Sequence, residues 1–164
     1  MQDMNNIYPQ DKPGMYHLLK EQLKALLENE PQVIPNLSNA SALLNLALKE
    51  INWVGFYLIN NGELLLGPFQ GKPACIHIPI GKGVCGAAVK QDRTQLVPDV
   101  HEFPGHIACD SASRSELVVP IRSGGQIVGV LDIDSPTPGR FDPVDQRELE
   151  EFVQILEQGC SWTL

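Results

Sequence analysis

Leu19, Leu23, Leu26 and Leu27, separated by lysines and glutamates, repeat at helical spacing and predict an amphipathic helix over residues 16–28. A second helix is expected from Asn36, whose side chain is a suitable cap, through SNASALLNLALK, where Leu44 and Leu48 lie one turn apart. The period then changes. INWVGFYLI is rich in β-branched and aromatic residues, NNG supplies a tight turn, and ELLLGPF completes a hairpin. CIHIPI alternates as a strand should, GKGVCGAAVKQ reads as a glycine-rich turn opening a short helix, and TQLV is a weak strand. Residues 98–114, PDVHEFPGHIACDSASR, have no periodicity, which in a compact domain marks a functional loop rather than a spacer. SELVVPIR and QIVGVLDID form a second hairpin around Ser123, Gly124 and Gly125. Asp142 as cap and Pro143 at the first helical position open a last helix, with Leu149, Phe152, Val153 and Leu156 as its apolar stripe.

This order of elements, joined mostly by hairpins, predicts one α+β domain over residues 1–164. Its sheet should be mainly antiparallel, with helices packed on one face and loops over the other. A chain of 164 residues buries about two thirds of its unfolded surface, so its stability does not require a disulfide. The N-terminal stretch MQDMNNIYPQDKPGMYHLL lacks a basic segment followed by an apolar one, and no apolar run approaches membrane-spanning length. The expectation is a cytoplasmic protein with no membrane partner. A net charge of −8 without a Lys/Arg cluster argues against nucleic acid.

In a reducing compartment, clustered cysteines are more often catalytic, redox-active or metal-binding than structural. Three of the four cysteines, Cys75, Cys85 and Cys109, fall within one 35-residue stretch among glycines, histidines and acids. Cys85 follows Gly81, Lys82, Gly83 and Val84 at an expected helix start, where backbone N–H groups and the helix dipole favour a thiolate. Cys109 sits in the long loop, three residues after His106 and beside Asp110. Cys75 and His77 are two apart, but no CxxC or paired histidines appear, so no metal site is expected. Asp132 and Asp134, two apart on one strand, project to the same face, and Glu116 on the preceding strand can join them. Such a pocket can grip an ammonium group, and crowding raises at least one carboxyl pKa so that it can donate a proton.

The segments FQGKPACIHIPIGKGVCGAAV, DVHEFPGHIACDSASRSELVVPI, GQIVGVLDIDSP and FDPVDQREL resemble the free methionine-(R)-sulfoxide reductases, enzymes built on a GAF domain. The resemblance is clearest over residues 53–149, and the cysteine spacing of ten and then twenty-four positions is its most specific element. It implies a GAF-like six-stranded sheet, reduction of free rather than peptide-bound methionine sulfoxide, no cofactor, and recycling by thioredoxin. It also implies roles: Cys109 as the attacking thiol, Cys75 as the resolving thiol that forms a disulfide with it, and Cys85 as an auxiliary thiol. Glu116, Asp132 and Asp134 match the acidic cluster that holds substrate, Trp53 and Tyr57 the aromatic wall around its methyl group. The R preference rests on the resemblance alone.

Residues and resemblance agree on mechanism. A sulfoxide is a poor electrophile until its oxygen is protonated, so reduction needs a thiolate on one side and an acid on the other. The competing reading is a GAF small-molecule sensor without catalysis, which needs no trio of cysteines. Cys160, beyond the last helix, is expected to be incidental, and the choice between monomer and homodimer stays open.

Overall fold

The computed structural model describes residues 7–107 and 111–163. Helix α1 (Lys12–Leu27) starts a turn earlier than leucine periodicity implies, because Asp11 caps it by accepting from the Gly14 N–H at 2.8 Å. Leu19 and Leu23 are fully buried, but Leu26 lies off the stripe and is 41% exposed. Helix α2 (Val33–Ala47) likewise begins before Asn36. Asn36 is not its cap but a buried internal residue, whose amide donates to the Glu30 carbonyl at 2.7 Å.

Strands β1 (Trp53–Asn60) and β2 (Glu63–Gly71) form the first hairpin, followed by β3 (His77–Pro79), helix α3 (Gly83–Gln91) and β4 (Gln95–Val97). A short 3₁₀ turn (Val100–Glu102) interrupts the long loop. Strands β5 (Ser115–Ser123) and β6 (Gln126–Ser135) form the second hairpin, and α4 (Pro143–Gly159) follows, with Asp142 in a reciprocal capping box with Asp145. Each hairpin closes through two residues of positive φ, Asn61–Gly62 and Gly124–Gly125, the geometry whose twist matches the flanking strands.

The six strands run in the order β3-β2-β1-β6-β5-β4, and every pair is antiparallel. Strand alternation divides the residues between two cores. Val54, Phe56, Leu58, Leu117, Val119, Ile121, Leu131 and Ile133 pack beneath α1, α2 and α4. Trp53, Tyr57, Val118 and Val130 point to the opposite face, where α3 packs through Val84, Cys85 and Ala88. Three helices therefore cover one face as expected, while α3 lies on the other among the loops. No helix among the described residues is long and apolar enough to cross a membrane.

Candidate active site

The pocket on the α3 face is set by register. Glu116 on β5 stands opposite Asp134 on β6, Asp134 pairs with Trp53 on β1, and Asp132 pairs with Gly55 on β1 and Val118 on β5. All three carboxylates thus emerge on one face. A side chain at Gly55 would strike Phe69, 2.3 Å from the position of its Cβ. Glycine there lets Phe69 reach across and stack on Trp53, ring centroids 5.2 Å apart, while Trp53 also stacks on Tyr57 at 6.0 Å. Phe69 is absent from the expected site; the glycine inside an otherwise apolar strand is the sequence signal for its approach.

The two aromatic residues hold more than a wall. Trp53 donates from Nε1 to the Lys72 carbonyl at 3.1 Å, and the Tyr57 hydroxyl donates to the Cys75 carbonyl at 2.8 Å. They tie the segment leading to Cys75 onto the pocket. Cys75 is disulfide-bonded, whereas Cys85 and Cys160 are free thiols. Cys109 and Asp110 lie outside the described residues. His77 meets Glu63 at 2.5 Å on the exposed edge of the sheet. Cys160 ends α4, its sulfur accepting from the Asn36 amide at 3.5 Å.

The cavity spans about 560 Å³ when its open mouth is included. Trp53 and Tyr57 form one side, Cys85 and Val84 at the start of α3 another, and Glu116, Asp132 and Asp134 the floor. His106 and Ile107 approach from the loop, and burial together with His101 lowers the His106 pKa. Among these, Ile78, Ile107 and Ser113 are contributors that sequence spacing does not reveal.

Electrostatics corrects one expectation. Cys85 does sit in the first turn of α3, but burial pushes its thiol well above the usual range, and Asp132, Glu116 and Asp134 push it further. One helix terminus cannot offset desolvation and three carboxylates, so Cys85 is held as a thiol. Burial likewise raises Glu116 well above the carboxylate range, helped by the charges of Asp132 and Asp134. Asp132 is raised by burial and partly restored by hydrogen-bonding contacts with Glu116 and Cys85. Burial therefore favours the protonated forms of both carboxyls on this floor. The Tyr57 hydroxyl is raised as well, by burial and then by Asp132, which keeps it a donor.

Residues 40–159 match the family model of the GAF domain. The chain is 54% identical to Protein YtsP of Bacillus subtilis over 92% of this chain and 94% of that one. It is 49% identical to the free methionine-R-sulfoxide reductase of Escherichia coli, covering 93% of each. Among solved structures, the fRMsr of Staphylococcus aureus in complex with its substrate superposes with a TM-score of 0.85 at 60% identity, over 88% of this chain and 94% of that one. Fold, acidic pocket and relatives converge: the chain belongs to the free methionine-R-sulfoxide reductases of the GAF-domain class.

Proposed function

We propose that this protein reduces free L-methionine (R)-S-oxide to L-methionine in a reducing cytoplasm, with Cys109 as nucleophile. The Cys109 thiolate attacks the sulfoxide sulfur while a floor carboxyl protonates the departing oxygen. Methionine leaves as the oxygen, now protonated, passes to the Cys109 sulfur and forms a sulfenic acid there. The Cys75 thiol condenses with that acid, releasing water and forming a Cys75–Cys109 disulfide. Thioredoxin, a dithiol, supplies two electrons to reduce this disulfide and leaves oxidised to its own disulfide.

The observation that carries this reading is the floor, where burial raises the pKa of Glu116 and Asp132, and the charges of Asp132 and Asp134 raise Glu116 further, beside an apolar wall of Trp53 and Tyr57. The same groups explain selectivity: a free amino acid brings an α-ammonium to acidic partners, whereas methionine within a polypeptide brings a neutral amide. The disulfide-bonded state of Cys75 supports it as the resolving thiol. The suppressed ionisation of Cys85 supports an auxiliary role.

The test is NADPH consumption coupled through thioredoxin and its reductase, with free and peptide-bound sulfoxide of each epimer. The expected result is turnover of the free R epimer alone. Binding of methionine sulfoxide without turnover of any substrate makes the protein a sensor instead. Cys109→Ser should abolish even a single equivalent of methionine. If it still forms one per chain while Cys85→Ser forms none, Cys85 is the nucleophile.

A further inference from the structure

Cys85, Glu116 and Asp132 come from three separate elements, yet one ligand atom from each lies within 4.8 Å of the others, and all three residues are buried. Asp132 stands in the middle, in hydrogen-bonding contact with both neighbours through its carboxyl. Its Oδ1 atom is buried without a hydrogen-bond partner, although the residue is only 6% exposed. A buried acceptor left this way is costly unless something binds it. The three donors line a pocket that opens to solvent, so an ion has a path in and water can complete its coordination.

We propose that Cys85, Glu116 and Asp132 form a binding site for a soft divalent cation of the Zn²⁺ class. One sulfur and two carboxylate oxygens suit Zn²⁺, which accepts mixed S and O donors, and not Mg²⁺ or Ca²⁺, which require oxygen. On binding, Cys85 releases its proton to solvent and the thiolate ligates the ion. The carboxyls shed whatever protons they carry, and a water from the pocket takes the fourth position. No electron is transferred. The absence of a CxxC or His-rich motif is no obstacle, because β5, β6 and α3 bring the donors together across 47 positions of chain. The ion occupies the floor where the substrate ammonium is placed above, so it acts as an inhibitor competing with substrate; only this competition rests on the proposed function.

Co²⁺ alone, added to the reduced full-length chain, provides a readout that needs no activity. A chain retaining only Cys85, made by Cys75→Ser, Cys109→Ser and Cys160→Ser, should bind one Co²⁺ with a thiolate-to-cobalt absorption band, and Zn²⁺ should displace it. Cys85→Ser should erase that band in the otherwise native chain, and Asp132→Asn should weaken Zn²⁺ binding measured calorimetrically by at least about tenfold. Circular dichroism checks that each variant is folded. A band that persists in Cys85→Ser, or is missing from the folded Cys85-only chain, overturns the site. If the band forms but saturating methionine sulfoxide leaves Zn²⁺ affinity unchanged, the site stands and its overlap with substrate is overturned.

Discussion

The two faces of this sheet are built from the same strands and obey opposite rules. On one, Val54, Phe56, Leu117, Val119, Leu131 and Ile133 alternate inward beneath three helices and are almost entirely buried. On the other, the intervening positions Trp53, Glu116, Asp132 and Asp134 line a pocket that a single short helix only partly closes. The first face lowers the free energy of the fold by removing apolar surface from water. The second raises it by burying carboxyls, and makes proton donors in return. Strand register is the device that keeps the two apart, since a slip of one residue would exchange them.

The comparison is tested most severely by substituting neighbours on one strand. Asp132→Asn should lower kcat/KM for free methionine sulfoxide by about 10²–10⁴-fold, the usual contribution of a positioned acid. Its thermal melting should be unchanged or improved. Leu131→Ala, one residue away on the other face, should do the reverse, costing about 2–5 kcal/mol in denaturant unfolding while folded molecules keep their turnover. Equal losses of turnover in both folded variants would show that the faces are not separable.

A smaller effect concerns pH. The folded pKa of Glu116 is raised, so the stability this site permits is full below about pH 4.3, the unfolded value, and declines as pH rises through the folded pKa. Asp142, on the core side, behaves oppositely: Lys12 lowers it to about 2, so its contribution is present above about pH 3.9 and is lost as pH falls through 2. Glu116→Gln should flatten the high-pH decline in Tm and leave the acid limb intact; a wild-type slope in that variant assigns the decline elsewhere. The smallest change is expected from Leu26→Ala, within about 0.5 kcal/mol by urea titration, because that leucine lies on the surface of α1, off its buried stripe.

Element order was legible because apolar periodicity switches at Trp53 and because the turn residues of both hairpins are explicit. The acidic triad was legible for the same reason, since two-residue alternation fixes a face without tertiary information. Helix starts at Lys12 and Val33 were not, because Asp11 acts through a local cap outside the leucine stripe and α2 has no side-chain cap at all. The protonation of Cys85 was hidden for a deeper reason. Its sequence neighbours suggest a stabilised thiolate, but the groups that decide its charge, Asp132 and Glu116, lie on distant strands. Phe69 and Ile107 likewise enter the pocket region through packing that no spacing encodes.

The bond from Trp53 Nε1 to the Lys72 carbonyl has an optical consequence. Indole emission responds to what the Nε1–H touches and to rings stacked beside it, and this indole grips the segment that leads to Cys75. The chain has one other tryptophan, Trp162, whose Nε1 is held by the Glu157 carbonyl at the end of α4. Fluorescence from Trp53 should therefore report rearrangement of the segment leading to Cys75 against a steady Trp162 background, without any added label.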